Sequence, residues 1–316
     1  MIDTIEISSD LKFRLLQIEA LVGNTPLMPI RNLHQNSKVK IFAKAEWQQI
    51  GGSVKSRPAF SIIRTAIENG DLNEERHLLD ATSGNTGIAY AAIGEELGIP
   101  VMLCLPENAS VERKELLASL GANIIYTSRF ESTDGAQEKA RTLSLLEPEK
   151  YYYADQYNND ANWQAHYHGT ALEIFQQSNQ EITHFIAGLG TTGTFVGTSR
   201  RLKELNPAIQ TIALHPETAL HGLEGWKHLE TAKVPGIYDD QIADENRLAD
   251  TLAAYDMVKA AAEKEDLLLS PSAAANLAGA VRLAEEIDEG VIVTIFPDNA
   301  DKYGEVIEHI FGNENN

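Results

Sequence analysis

The sequence predicts an α/β protein built on parallel sheets with helices on both faces. Short runs rich in β-branched residues alternate with helical segments along nearly the whole chain, which is typical of parallel sheets covered by helices. The composition, 43% hydrophobic and 23% charged, is that of a folded globular protein, and 316 residues exceed the usual size of one domain. We therefore expect two lobes, each with its own core.

The first half of the chain reads as strands and helices joined by short turns. Glycines at Gly70 and Gly121 end two of the predicted helices, and Ser110 is a plausible N-cap. The predicted strands here are 39–47, 77–81, 101–105 and 123–127, and the helices are 56–69, 85–97 and 110–120.

The second half predicts another sheet and one long loop. Its strands are expected at 183–187, 211–215 and 291–296, the last followed by a C-terminal helix. The segment 220–247 has no long periodicity and is rich in glycine and proline, so we predict a functional loop or lid.

Charge and cysteine content restrict the partners. The net charge of −20 repels phosphate backbones and anionic lipid surfaces, which argues against nucleic acid and membrane partners. The single cysteine, Cys104, excludes an internal disulfide framework and lies in an apolar run typical of a buried strand. The sequence starts without a basic and then apolar segment and has no apolar run of about 18 residues, so a cytoplasmic protein is expected.

Lys55 follows a glycine-rich turn at the start of a predicted helix, in the motif GGSVKSRPA at 51–59. The lysine is not part of a phosphate-binding P-loop, because Val54 stands where that loop needs glycine. The positive end of a helix dipole favours the neutral amine that reacts with a carbonyl compound. Lys55 is therefore a candidate catalytic residue, and an exposed lysine at a helix start is the alternative.

Two further turns join a strand to a helix and carry small hydroxyl residues. The first, DATSGNTG at 80–87, can hold a carboxylate or another anion, or can simply cap its helix. The second, GLGTTGT at 188–194, satisfies the dinucleotide pattern G-x-G-x-x-G, with Glu217 as a possible ribose acid. Its three threonines favour a terminal phosphate, and we predict a phosphate-binding loop.

Together and in this order, the three motifs resemble the cysteine synthase group of fold-type II pyridoxal-phosphate enzymes, the tryptophan synthase β-like superfamily. The resemblance covers almost the full chain. Further matching segments are VGNTPL at 22–27, KAE at 44–46, PENASVER at 106–113, LGA at 120–122 and DQYNN at 155–159, with Asn162, His166 and GT at 169–170.

The resemblance implies roles residue by residue. Lys55 stands where the family places the lysine that holds the cofactor covalently, and Asn85 matches the residue that hydrogen-bonds the cofactor's ring oxygen. Ser272 matches the hydroxyl that faces the pyridine nitrogen, and a neutral hydroxyl there favours β-elimination over transamination. Thr82, Ser83, Gly84, Asn85, Thr86 and Gln156 match the group that binds the substrate carboxylate, and Gly190, Thr191, Thr192, Gly193 and Thr194 match the phosphate-binding loop.

Several positions depart from the family pattern. Gln49 and Ile50 stand where Asn-Pro is usual. Ser56 replaces an aspartate, Thr192 replaces a glycine, and the segment around Ser272 lacks Ser-Ser-Gly, so that its alignment allows a shift of one residue. His166 and His168 have no accompanying acid or cysteine cluster, so we expect a structural role and no metal.

The implied protein is a cysteine synthase with a smaller mobile substrate-gripping domain at 41–145 and a larger cofactor-binding domain at 1–40 and 146–316. Lys55 would remove the α-proton of an activated serine, and a sulfur nucleophile would replace the leaving group on Cβ. The sulfur source, free sulfide or a sulfur-carrier protein, is left open, and homodimers are usual in this family. The loop 221–228 resembles the phosphoserine-using branch, so Lys227 is expected to bind the phosphate of O-phosphoserine, with O-acetylserine as the other donor.

Several alternatives remain. A diaminopropionate synthase, a cystathionine synthase or a serine/threonine dehydratase would use the same lysine and phosphate loop with another nucleophile or none. The G-x-G-x-x-G pattern leaves a nicotinamide dehydrogenase open, and a pyridoxal-phosphate-binding protein without activity is the simplest alternative.

Overall fold

The computed structural model describes residues 7–82, 84–109 and 111–312. Contacts between Cα atoms divide the chain into two compact units. Unit 1 comprises Met1–Gly23 and Gln49–Asn162, and unit 2 comprises Asn24–Gln48 and Trp163–Asn316. These ends differ from the predicted division at 41 and 145, whose functional meaning stays a prediction.

Strands and helices alternate along the described residues. The strands are β1 (Leu27–Ile30), β2 (Val39–Ala45), β3 (His77–Ala81), β4 (Val101–Pro106), β5 (Asn123–Thr127), β6 (Tyr151–Tyr153), β7 (His184–Gly188), β8 (Gln210–Pro216), β9 (Glu245–Ala249) and β10 (Gly290–Phe296). The helices are α1 (Ser9–Glu19), α2 (Ser56–Glu68), α3 (Asn85–Leu97), α4 (Val111–Ser119), α5 (Ser132–Leu146), α6 (Asp160–Ala165), α7 (Ala171–Gln177), α8 (Gly193–Leu205), α9 (Thr251–Glu265), α10 (Pro271–Glu286) and α11 (Gly304–Gly312).

Unit 1 is built on a four-stranded parallel sheet with the order β5-β4-β3-β6. Its central strands β3 and β4 are buried along nearly their whole length, as expected for strands covered by helices on both faces. Cys104 of β4 is fully buried, and burial raises the pKa of its thiol to about 12. The prediction of a buried strand thiol is confirmed.

Unit 2 is built on a six-stranded sheet with the order β1-β2-β10-β7-β8-β9, parallel except for β1, which runs antiparallel to β2. Strand β2 therefore belongs to this sheet, although its place early in the chain groups it with the first set of predicted strands. Alanines along α10 let the helix lie close to the sheet, and a Cβ added at Gly279 would lie 2.7 Å from a methyl group of Leu214.

Most predicted boundaries match the structure. Strands 77–81 and 123–127 and helix 85–97 agree with β3, β5 and α3, and the others differ by one or two residues at most ends. The N-cap assigned to Ser110 lies outside the described residues. The predicted loop 220–247 is wrong at its end, because β9 begins at Glu245 as a short, polar edge strand without the β-branched residues that mark a strand. In the described part of the chain, no helix is long and apolar enough to span a membrane.

Candidate functional site

Lys55 lies directly before the first residue of α2, as the sequence predicts. Its φ and ψ, −73° and −13°, are already helical, and its amide donates to the Ser53 hydroxyl at 3.3 Å. The preceding turn packs on α3 of the same unit, where a Cβ added at Gly51 would lie 3.1 Å from the Cα of Ala89. Gly51 also has φ +73°, so both space and conformation favour glycine there. The lysine is thus held beside the helix that carries the predicted carboxylate-binding turn.

The turn between β3 and α3 is organised by the hydroxyl of Thr82. This oxygen accepts the amides of Gly84 at 3.2 Å and Gly87 at 3.3 Å, so a side chain outside the helix caps its first turn. A Cβ added at Gly87 would lie 2.6 Å from the Thr82 methyl group, which explains that glycine. Because two amides occupy its oxygen, the Thr82 hydroxyl proton is the part left for a further acceptor.

Gln156 is fixed beside this turn by its main chain and its side chain. Its Oε1 accepts the Thr86 hydroxyl at 2.7 Å, and its Nε2 donates to the Ala81 carbonyl at 3.2 Å. The Asn162 amide donates to its main-chain carbonyl at 2.6 Å. The structure therefore brings Gln156 to Thr86, although 70 residues separate them, as the resemblance implies for two members of one binding group.

Asp80, the penultimate residue of β3, is an ionisable group buried beneath this turn. Burial raises the pKa of its carboxyl group to about 7, and the nearby carboxylate of Asp155 adds to the rise. Two main-chain amides, of Ala81 and Gln156, donate to it and oppose the rise, and the neighbouring Tyr90 hydroxyl also lowers the pKa. Sequence analysis gave Asp80 no role; the available signal was an acid inside an otherwise apolar strand.

The loop between β7 and α8 in unit 2 carries the predicted phosphate-binding residues. Gly193 is the first residue of α8, so the positive end of a 13-residue helix lies at this loop. Thr191 and Thr192 are buried, at 7% and 2% exposure. Thr192 has φ +75°, which is costly for a β-branched residue and explains why the family pattern has glycine here.

The glycines of this loop are explained by the segment 222–227 of the same unit. A Cβ at Gly188 would overlap the Trp226 ring, and one at Gly190 would overlap the Gly225 carbonyl oxygen. The Lys227 amide donates to the Leu189 carbonyl at 2.8 Å. The predicted functional loop therefore packs directly against the predicted phosphate-binding loop, and close packing alone requires two of its glycines.

His166 connects a π-helical turn to the same loop. Its Nδ1 lies 2.9 Å from the Thr170 hydroxyl and its Nε2 lies 3.3 Å from the Thr194 hydroxyl. The side chain is buried, whereas His168 is exposed. Among residues 7–82, 84–109 and 111–312, no three histidine, cysteine, aspartate or glutamate residues form a group that could bind a metal.

Ser272 is buried at the start of α10, in its first turn after Pro271. Its hydroxyl lies 3.3 Å from that of Ser270, which caps the helix by accepting the Ala273 amide. Asn276, one turn later, accepts the Gly188 amide at 2.8 Å and so ties α10 to the phosphate-binding loop. Sequence analysis missed Asn276; its signal was an amide within an alanine-rich helix.

The predicted residues thus fall into one set within each unit. Lys55, Thr82, Gly84, Asn85, Thr86 and Gln156 belong to unit 1, and Gly190, Thr191, Thr192, Gly193, Thr194, Lys227 and Ser272 belong to unit 2. Ser83 lies outside the described residues. The functional roles of these residues stay predictions.

Known proteins resemble the chain over almost its full length. Residues 18–298 match the family model described as "Pyridoxal-phosphate dependent enzyme". The chain is 45% identical to a cysteine synthase of Aquifex aeolicus (strain VF5), over 90% of this chain and 89% of that protein. It is 36% identical to an O-acetylserine-dependent cystathionine β-synthase of Bacillus subtilis (strain 168), over 90% of this chain and 95% of that protein.

Solved structures show the same fold. A crystal structure of a cysteine synthase from Entamoeba histolytica has a TM-score of 0.85 at 28% identity, covering 98% of this chain and 96% of that chain. An O-ureido-L-serine synthase has a TM-score of 0.84 at 28% identity, covering 90% and 92%. These likenesses confirm the predicted fold class. The chain belongs to the family of pyridoxal-phosphate-dependent enzymes.

Proposed function

We propose that this protein is a cysteine synthase, which replaces the leaving group on Cβ of an activated serine with a sulfur nucleophile to give L-cysteine. The observation that carries the proposal is the position of Lys55 at the start of α2, in a turn that packs on α3. Helix α3 begins at the turn that offers hydroxyl and amide donors to a carboxylate. The similarity to curated cysteine synthases supports the same reaction.

The residues present fit pyridoxal phosphate. The Thr192 hydroxyl is buried and has no hydrogen-bond partner among the described residues, so a bound phosphate would satisfy it. The start of α8 adds main-chain amides with a favourable dipole. We propose that Lys55, Asn85 and Ser272 hold the rest of the cofactor, together with the loop Gly190, Thr191, Thr192, Gly193 and Thr194. When bound, the cofactor supplies the electron sink that makes the Cα proton of the amino acid acidic.

The chain's own residues provide positioning and proton transfer. The Lys55 amine takes the proton from Cα and later returns it, which requires the neutral form favoured near a helix N-terminus. The Thr82 hydroxyl and the amide of Gln156 bind the substrate carboxylate, and Asn85 holds the cofactor against it. Fixing these donors in advance lowers the entropic cost of aligning the reacting atoms.

We further propose a cytoplasmic homodimer that acts on small molecules. The single buried cysteine fits a reducing compartment. The sulfur donor is free sulfide or the thiocarboxylate of a sulfur-carrier protein. Incubating the enzyme with each donor and quantifying L-cysteine distinguishes these sources.

The assignment of Lys55 is tested by fixing its link to the cofactor. Borohydride reduction of the holoenzyme, followed by peptide mapping, should place the cofactor on Lys55. Labelling of another lysine would contradict the assignment. Product analysis with an activated serine and sulfide should show L-cysteine, whereas preferential reaction with homocysteine would instead indicate a cystathionine synthase, like the Bacillus subtilis relative.

For the donor, we propose that Lys227 binds the phosphate of O-phosphoserine. Its main chain is fixed on Leu189, within the phosphate-binding loop, and its side chain is half-buried. A charged hydrogen bond to phosphate contributes about 1.5 to 3 kcal/mol, or roughly ten- to hundredfold in kcat/KM when it forms in the transition state.

The matched variants are Lys227→Ala and Lys233→Ala, since Lys233 is an exposed lysine of the same loop. Lys227→Ala should lower kcat/KM for O-phosphoserine and leave that for O-acetylserine unchanged, while Lys233→Ala should affect neither. Because Lys227 lies beside the predicted cofactor loop, the Kd of the cofactor is measured in parallel. Equal losses with both donors, together with a weaker cofactor Kd, would show that Lys227 serves the cofactor instead.

A further inference from the structure

Asp80 is a buried carboxylate that accepts hydrogen bonds from main-chain amides. It is 1% exposed, and its two oxygens accept main-chain amides from two different segments of unit 1. The Ala81 amide donates to Oδ1 at 2.8 Å, and the Gln156 amide donates to Oδ2 at 3.4 Å. One carboxylate thus joins the end of β3 to the segment that follows β6.

The second of these amides belongs to a residue whose other polar groups are also engaged. The carbonyl of Gln156 accepts from Asn162, its Nε2 donates to Ala81, and its Oε1 accepts from Thr86. Removing the Asp80 acceptor would release the main chain of Gln156 at the point from which its side chain extends. Asp80 therefore acts on the side-chain amide through the main chain.

Of Thr86 and Gln156, Gln156 is the residue that still has a hydrogen to donate to a substrate carboxylate. The Thr86 hydroxyl uses its single proton on Gln156 Oε1, so it has none left for a substrate carboxylate. The Gln156 Nε2 group has two hydrogens, of which Ala81 takes one. The orientation of this amide therefore decides how many donors the binding turn presents.

We propose that Asp80 is a positioning residue for the amino-acid substrate: its ionised carboxylate holds Gln156, and through it Thr86, in the arrangement that binds the substrate carboxylate. This inference rests on the proposed function only through the identity of the ligand.

The surroundings of Asp80 make its ionisation sensitive to pH near neutrality. Burial raises the pKa of Asp80 to about 7. The Tyr90 hydroxyl lies beside the carboxylate and lowers its pKa, so it opposes the effect of burial. The titratable groups that act on Asp80 come from α3, β4, β6 and the segment after β6, and they are Tyr90, Cys104, Tyr152, Tyr153, Asp155 and Tyr157.

Protonated Asp80 cannot accept both amides well, so substrate binding should weaken as pH falls through the pKa of Asp80. The Kd of L-alanine for the wild-type holoenzyme, measured by calorimetry, should rise by about tenfold from about pH 8 to about pH 6. L-alanine has no phosphate that titrates in this range, and because its α-ammonium group must lose a proton to react with the cofactor, the wild-type Kd is compared with that of Asp80→Asn at each pH. A Kd that stays constant across it would overturn the proposal without any variant.

The diagnostic variant is Asp80→Asn, with Tyr90→Phe as the matched control. Asparagine keeps one acceptor but turns a donor toward the second amide, so KM for the amino acid should rise about tenfold while kcat changes less. The ratio of the L-alanine Kd at about pH 6 to that at about pH 8 should be about tenfold smaller in this variant than in the wild type. Tyr90→Phe removes a hydroxyl that favours the ionised carboxylate, so it should move the change in L-alanine Kd to higher pH, while KM above that pH stays close to the wild-type value.

Hydrogen exchange of the Gln156 amide separates this inference from the proposed function. Protection should fall in Asp80→Asn and persist in Tyr90→Phe, whatever reaction the enzyme catalyses. If the wild type makes no cysteine but protection and L-alanine binding follow this pattern, the proposed function fails and the positioning role stands. If cysteine is made and Asp80→Asn retains both protection and affinity, the positioning role is wrong.

Discussion

Two strand-to-helix turns, 82–86 in unit 1 and 190–194 in unit 2, use the same residue types in opposite ways. In the first, the Thr82 and Thr86 hydroxyls make hydrogen bonds within their own unit, and the Thr86 hydroxyl donates its proton to Gln156. In the second, the Thr192 hydroxyl is buried without a partner among the described residues, and its backbone is strained at φ +75°. The Thr86 hydroxyl of the first turn has a partner without a ligand, whereas the Thr192 hydroxyl of the second is left with a cost that an anion would offset.

This difference fits the ligands that we assign to the two turns. A resident cofactor phosphate stays through every cycle, so its loop can depend on the phosphate for stability. A substrate carboxylate arrives and leaves in each turnover, so its binding turn has to keep its geometry when empty. Hydrogen bonding within the protein supplies that geometry in the first turn.

The largest difference in stability between the two turns should appear when one glycine of each is replaced by alanine. In Gly190→Ala the new Cβ would overlap the Gly225 carbonyl oxygen, so the segment 222–227 has to move. We expect about 3 kcal/mol of lost stability in the apoprotein, with loss of cofactor binding. The matched change in the first turn is Gly84→Ala, where the nearest atom is 3.8 Å away and the loss should stay below about 1 kcal/mol.

Thermal and denaturant unfolding of the two apoproteins measures this difference. Similar losses in both variants would mean that Gly190 is required by its ligand and not by its packing. A Trp226 fluorescence change in Gly190→Ala, absent in Gly84→Ala, would locate the displacement in the neighbouring segment.

The next effect tests how the ionisation of Asp80, the buried acid beneath the first turn, changes the stability of the protein. The native pKa of Asp80, about 7, lies above the ordinary value of about 3.9 for an unfolded chain. Between these values the native state binds more protons than the unfolded state, so its stability falls as pH rises. The ionisation of Asp80 thus destabilises the native state by on the order of a few kcal/mol, and this cost is fully present above pH 7.

Asp80→Asn should therefore flatten the stability of the apoprotein between about pH 4 and about pH 7, measured by urea unfolding. The wild type should lose stability across this range relative to the variant. If the free energy of unfolding changes equally with pH in the wild type and in Asp80→Asn, Asp80 has an ordinary pKa and its ionisation does not cost stability.

Sequence reasoning predicted the elements well because local signals decide them. Gly70, Gly98 and Gly121 follow helices with φ between +70° and +77°, a conformation that glycine adopts at little cost. The alternation of strands and helices predicted the parallel sheets, and family motifs placed Lys55 at the start of α2. Strand β9 was missed because pairing with β8, and not its own composition, makes it a strand.

The interactions that complete the site were harder to predict because they depend on contacts distant in sequence. Nothing local shows that Gln156 accepts from Thr86, or that Trp226 excludes a side chain at Gly188. Lys44 was matched only as part of a motif, and the structure shows its ammonium fully buried in an ion pair with Glu173 at 2.6 Å. Long-range packing and hydrogen bonding determine these partners, and they could not be inferred from a single sequence.

The smallest effect compares the same substitution, threonine to valine, in both turns. Thr86→Val removes the proton that satisfies Gln156 Oε1 in a buried site, so the apoprotein should lose about 1 to 3 kcal/mol. Thr192→Val keeps the strained backbone and removes a buried hydroxyl that has no partner in the described protein, so its apoprotein should be as stable as the wild type or gain up to about 1 kcal/mol. The opposite signs follow from hydrogen bonding alone, since the two residues differ little in burial.

Cofactor binding should reverse this order. Thr192→Val should weaken the Kd of pyridoxal phosphate by about tenfold, the loss of one hydrogen bond to a charged group, whereas Thr86→Val should leave that Kd nearly unchanged and raise KM for the amino acid. Urea unfolding of each apoprotein and fluorescence titration with the cofactor provide the measurements. If Thr192→Val destabilises the apoprotein as much as Thr86→Val, the Thr192 hydroxyl has a partner within the protein, and the contrast between the turns does not hold.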